Sequence, residues 1–133
     1  MDRRPAVGIL CLMAEEQYDM RMDTKFGPLE QFDVLGFAST LQPWINQTLV
    51  NVNDCVVRLG VLDGDFHSHK HDQEDEFFYV VEGRLKIDFE NGAADLGPGQ
   101  GVMVPRGAMH CPHAIGRTVV LMFEAGTVVP TGD

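Results

Sequence analysis
Three of the chain's five histidines fall within five residues, in the stretch "FHSHKHDQEDEFFYVVEG" from Phe66 to Gly83, and four acids follow within the next five. His67, His69 and His71 alternate, so an extended backbone turns all three to one face. Imidazoles gathered on an inward face need partners, and a transition metal supplies one. Glu76 opens the apolar run "EFFYVV" after a four-residue loop. In a hairpin it would lie beside the strand that carries the histidines. A fourth histidine, His110, comes much later, after the turn residues Pro105-Arg106-Gly107. The competing reading is a histidine cluster satisfied by the protein's own groups, with the acids in solvent.

Strands must position these groups. From Gln47 onward the chain is a series of short runs rich in Val, Ile, Leu and Phe: "TLVNV", "CVVRLGVL", "DFHSHKH", "EFFYVV", "RLKIDF", "AADL", "GVMVP", "MHCPHA" and "TVVLMFE". Asn53-Asp54, Asp63-Gly64, Glu82-Gly83, Asn91-Gly92, Gly97-Pro98-Gly99 and Gly116 separate them as turn residues. Such spacing predicts an all-β sandwich or barrel. Within "EFFYVV", Phe78 and Val80 share the parity of Glu76 and should line the interior, while Phe77 and Tyr79 face the other way. Only residues 23–46 carry helical spacing, with Leu29, Phe32 and Leu35 as a stripe, Pro28 as a first helical residue and Pro43 as a breaker.

At 133 residues the chain suits one domain, large enough to bury a core unaided. A formal net charge of -10 repels phosphate backbones and anionic lipids, which argues against nucleic acid and membrane partners. No apolar run reaches membrane-spanning length. Cys11, Cys55 and Cys111 form no C-x-x-C pair. Each reads as a small buried apolar residue in a reducing, cytoplasmic compartment. Residues 1–22 read as an N-terminal extension or arm, with Met20 or Met22 as an alternative start. The apolar run Ala6 to Ala14 ends in Glu15-Glu16 without a small-x-small site, against a secretory signal.

Two stretches together resemble the cupin family. The first family motif, G-x5-H-x-H, then three or four residues, E, six residues and G, is matched by His69-Lys70-His71, Glu76 and Gly83, with Asp63 where the leading glycine would stand. The second, G-x5-P-x-G-x2-H-x3-N, is matched by Gly99, Pro105-Arg106-Gly107 and His110, with Ala114 in place of the final Asn. The resemblance covers about residues 48–125 and implies a double-stranded β-helix, the jelly-roll barrel, preceded by a short helical segment, within a single domain of residues 23–133. It also implies a homodimer and a metal held by His69, His71, Glu76 and His110. Three imidazoles and a carboxylate suit a divalent Fe, Mn, Ni, Zn, Co or Cu ion. Glu74 misses the motif's spacing to Gly83 and reads as a rim residue. Asp72 and Asp75 read as solvated, and His113, of opposite parity to His110, as facing away.

Open coordination positions in a small apolar barrel fit a small, partly apolar ligand with an oxygen to reach the metal. The expected function is metal-dependent chemistry of oxygenase or isomerase type on a small organic molecule. His67 and Glu74 are the candidate acid–base groups. The alternative is a non-catalytic barrel that binds or senses a small ligand or metal.

Overall fold
The computed structural model describes residues 18–133; Cys11 and the Ala6–Ala14 run lie outside them. Its strands are β1 (Asp19–Arg21), β2 (Ile45–Val52), β3 (Cys55–Asp65), β4 (Glu76–Glu82), β5 (Leu85–Phe89), β6 (Gly92–Leu96), β7 (Gly101–Val104) and β8 (His110–Ala125). One short helix, α1 (Val34–Ala38), precedes β2. The fold is the expected all-β jelly roll.

β8 organises the barrel. Along one side it pairs antiparallel with β3. Along the other it pairs first with β5 through His110–Ala114 and then with β4 through Val119–Glu124. The strand order is β1-β2-β3-β8-β4-β7, with β6 on β5. In the sequence Gly116 separates "MHCPHA" from "TVVLMFE" as a turn residue. Gly116 instead takes φ 74 within a continuous strand. The register against β3 shifts between Leu62 and Gly64, so both expected turns are irregularities inside long strands. Such irregularities bend a strand and re-aim its side chains, and here β8 changes partner across the bend.

The core has two layers. Leu62, Phe78, Val80, Ile87, Val120 and Met122 fill the interior. On the outer face of β2 and β3, Ile45, Leu49, Leu59 and Val61 pack against Ala38, the last residue of α1, and Leu41 beyond it. β3 is therefore buried on both faces, which is why "CVVRLGVL" reads as a continuous apolar run rather than an alternating one. Phe78 and Val80 are buried inward, whereas Phe77 packs outside against Phe123, ring centroids 5.6 Å apart and tilted by 43°.

The helical expectation for residues 23–46 needs correction. Only five residues form α1. Leu29 is fully exposed with φ 66, incompatible with a helix, so Pro28 starts none. Phe32 packs instead on Phe26, ring centroids 4.2 Å apart. The cysteine expectation fails for Cys55, which is exposed at the start of β3; Cys111 is partly buried, its thiol donating to the Phe66 carbonyl at 3.2 Å.

Candidate metal centre
His69 and His71 do not lie in a regular strand. β3 ends at Asp65, and the following loop is stitched to the chain around β8 by backbone hydrogen bonds: Phe66 N to Pro112 O at 2.9 Å, His69 N to His110 O at 2.9 Å, His110 N to His69 O at 2.8 Å and Gly107 N to His71 O at 2.8 Å. The Pro105–Gly107 turn thus sets the positions of His71 and His110 together. Glu76 does not arrive by the expected hairpin: β4 pairs with β7 and β8, not with the histidine loop. The barrel's closure brings it opposite the loop.

The donor atoms of His69, His71, Glu76 and His110 all lie within 4.8 Å of one another, and all four residues are buried. Nε2 of His71 and Nε2 of His110 each stand 3.3 Å from Oε1 of Glu76. Neither approach is aligned as a hydrogen bond, so both nitrogens and Oε1 remain without partners. An unpartnered buried polar atom costs about 1–3 kcal/mol, and several converging on one point fit a cation that accepts their lone pairs. The backbone prepares them for it. Nδ1 of His69 donates to the His67 carbonyl at 3.0 Å and Nδ1 of His110 to the Ala108 carbonyl at 2.9 Å. In the neutral rings this leaves Nε2 as the lone pair facing inward. Burial pulls the His69 imidazolium down to about 4, so the ring is a neutral donor near pH 7. Burial also works against charge on His71, but the neighbouring Glu76 carboxylate outweighs it and raises the imidazole. For Glu76, burial is overcome by His110 and His71, which hold its carboxyl far below the usual range.

Two groups behind the cluster escaped the sequence reading. Glu124 lies directly across from Glu76 in the strand register. Its Oε2 accepts from Nη1 of Arg58 at 2.6 Å, with both side chains buried. Arg58 is held further by Thr48 Oγ1 at 3.2 Å and the Val128 carbonyl at 3.0 Å. Burial and the charge of Glu76 push Glu124 upward, with Arg58 acting against them. The only signal was one cation in "CVVRLGVL" and one acid ending "TVVLMFE". Two opposite charges in otherwise apolar strands imply a buried pair.

The remaining candidates lie outside the cluster. His67 Nε2 donates to the Thr131 carbonyl at 2.7 Å. Glu74 accepts from Thr127 Oγ1 at 2.7 Å and lies beside His71 and Asp133 at the rim. Asp75 accepts from the Arg106 amide at 2.9 Å. Asp72 is exposed and paired with Lys70. His113 is clamped outside the barrel, Nδ1 to Asp65 and Nε2 to Asp88, both at 2.8 Å. Beside the cluster a narrow cavity of about 30 Å³ is walled by apolar groups such as Trp44, Phe66, Phe78 and Met122. Its polar lining is Asn46, His69 and Glu76; neither His67 nor Glu74 reaches it.

Residues 55–126 match the Cupin domain family. The uncharacterized protein YdbB of Bacillus subtilis (strain 168) is 39% identical over 80 residues, 59% of this chain and 71% of its own length. A stretch of 42 residues, 32% of this chain, is 43% identical to the polyketide synthase CurC of Streptomyces cyaneus and spans 27% of that protein. The crystal structure of a cupin-2 domain containing protein from Shewanella frigidimarina superposes with a TM-score of 0.68 at 28% identity, over 71% of this chain and 93% of that one.

Proposed function
The chain belongs to the cupin family, and from that premise we propose that it is a metal-dependent enzyme acting on a small, mostly apolar organic molecule inside the barrel. The convergence of partnerless donors from His69, His71, Glu76 and His110, beside an apolar cavity, carries the reading. These four residues would hold a divalent transition metal, Fe, Mn, Ni, Zn, Co or Cu. When bound, the ion would supply Lewis acidity for isomerase-type chemistry or, if iron, dioxygen activation for oxygenase-type chemistry. The protein's own part is to hold the His69 ring neutral and Glu76 as a carboxylate, exclude water and orient the ligand. The stretch shared with a protein named polyketide synthase supports an oxygenated, carbon-rich ligand.

We assign Glu74 the proton-moving role at the rim, where it lies beside His71 and Asp133. His67 would act through Nδ1, since its Nε2 is engaged by Thr131. A second reading, ligand or metal binding without turnover, is favoured by one observation: neither of these acid–base groups lines the cavity. The test is metal analysis of protein grown in several media, followed by a turnover screen of catechols, diketones and sugar phosphates. Metal at one per chain with turnover supports the enzyme; metal with binding and no turnover supports the second reading; no metal uptake sinks both.

We also propose a cytoplasmic homodimer. Met103 and Phe123 are exposed on the outer face of β7 and β8, next to Phe77. Light scattering should give twice the 14.8 kDa of the single chain; a monomer at all concentrations contradicts it.

A further inference from the structure
Three consecutive polar residues of β2, Asn46, Gln47 and Thr48, are buried. The fold itself satisfies two of them. Gln47 Nε2 donates to the Asp23 carbonyl at 2.7 Å, and Thr48 Oγ1 accepts from Arg58 Nε at 3.2 Å. Asn46 differs: it is 8% exposed, its Oδ1 has no hydrogen-bond partner, and it lines the cavity that also contains His69 and Glu76. Packing alone would place an aliphatic side chain there, because an orphaned amide oxygen costs about 1–3 kcal/mol. Its neighbour across β3 is Gly60, which brings no polar partner, and the space over Gly60 is filled by the apolar Leu62, Val120 and Met122.

We propose that Asn46 is a ligand-recognition residue: its amide binds a hydroxyl or amine on a small apolar molecule whose other end faces Glu76 and His69. The inference rests on the metal-centred reading of the pocket and adds to it a requirement for a second polar group on the ligand. The amide offers both an acceptor and a donor, so a hydroxyl is recognised in either orientation. The aromatic wall, where Trp44 and Phe66 stack with centroids 5.2 Å apart, selects a flat carbon skeleton. The cavity's about 30 Å³ holds only a water or two. A ligand therefore enters as the wall gives, and Met20 and Met122 form its adaptable side.

Trp44 is the chain's only tryptophan and lines the cavity, so its fluorescence reports occupancy without turnover. Zinc-loaded protein is titrated with benzoate and with the three monohydroxybenzoates. At least one hydroxybenzoate should bind the native chain about tenfold more tightly than benzoate, because a buried polar group rejects the analogue that leaves it unpaired. Asn46→Leu should abolish that preference while keeping metal content; Asn46→Ala serves the same purpose if the leucine variant does not fold. A preference that survives either folded variant, or no preference in the native chain, overturns the role of Asn46 while leaving the pocket reading intact. Failure of every probe to bind the zinc-loaded native chain overturns the pocket reading and the inference with it.

Discussion

Nε2 of His110 stands 3.3 Å from Oε1 of Glu76, and both atoms are buried without a hydrogen-bond partner. Glu76 pairs with Glu124 at the far end of β8 and His110 with Phe89 of β5, so closure of the barrel, not direct strand pairing, brings the two together. The strands and the backbone bonds of the histidine loop set this proximity. A donor set held in place by strands loses affinity when one member is removed, since the others cannot move to replace it. His110→Ala should therefore bring metal content from about one per chain to a small fraction of that, measured by elemental analysis after dialysis. Glu74→Ala should leave it nearly unchanged, because Glu74 bonds Thr127 at the rim and contributes no atom to the buried cluster. Equal metal loss in the two variants would contradict the assignment of ligands.

Arg58 and Glu124 form a buried pair that stands behind Glu76. Removing one partner of such a pair leaves an uncompensated polar group in the interior and costs about 3–5 kcal/mol. Arg58→Met should lower stability by that order, read from the midpoint of urea unfolding at unchanged slope. The double variant Arg58→Met with Glu124→Leu should recover part of the loss. No recovery would mean that Arg58 acts through Thr48 and Val128, its other partners, rather than through Glu124.

His113 touches Asp65 through Nδ1 and Asp88 through Nε2. A ring between two carboxylates satisfies both when both of its nitrogens carry protons. Asp65 leads the effects that raise the imidazole above its usual value, with burial opposing and Asp88 adding to the rise. Lys86 also faces this ring across β5 and β8. A raised histidine contributes its full stability below its unfolded value, about 6.5. That contribution is lost as pH rises through the folded value. His113→Gln should thus be less stable than the native chain at pH 5.5, with the gap narrowing as pH rises through the raised folded value, as followed by thermal unfolding. The exposed setting keeps the effect modest. A gap that is constant with pH would assign His113 a packing role only.

How much of this was legible in the sequence follows from how local each feature is. His69 and His71 sit two apart, and the Pro105–Gly107 turn sits just before His110, so short motifs carried the ligand set. The jelly roll followed from the same motifs and from frequent turn residues. The path of Glu76 into the site was misread because a hairpin with the preceding segment is the local guess, whereas β4 pairs with the distant β7 and β8. Gly116 was read as a turn because positive φ serves a strand irregularity as well as a loop. Asn46, Arg58 and Glu124 stayed hidden for a different reason. Whether a buried polar residue has a partner depends on which strand lies next to it, and only the folded register decides that. The stripe through Leu29 and Leu35 failed because tertiary packing of Phe26 on Phe32 outweighs weak helical propensity.

The C-terminal residues close over the histidine loop, and Gly132 is the tightest point of that contact. A Cβ at Gly132 would fall 2.6 Å from Cβ of His69, and the residue has φ 97, which side-chain-bearing residues rarely adopt. Around it the tail is tied down on both sides. The Thr131 carbonyl accepts from His67, the Asp133 amide donates to the Lys70 carbonyl at 3.0 Å, and the Asp133 carboxylate accepts from the Asp72 amide at 2.5 Å. Gly132→Ala must therefore displace either the tail or His69. Because His69 is oriented by its bond to the His67 carbonyl, a shift of either segment disturbs one of the four donors. Loss of orienting contacts behind a ligand typically weakens metal affinity about 10–100-fold. The variant should show a drop near the lower end of that range in chelator competition, together with faster hydrogen exchange at the Asp72 amide. Faster exchange with unchanged affinity would show that the tail covers the loop without positioning His69. Unchanged exchange and affinity together would mean that the tail does not hold this contact in solution.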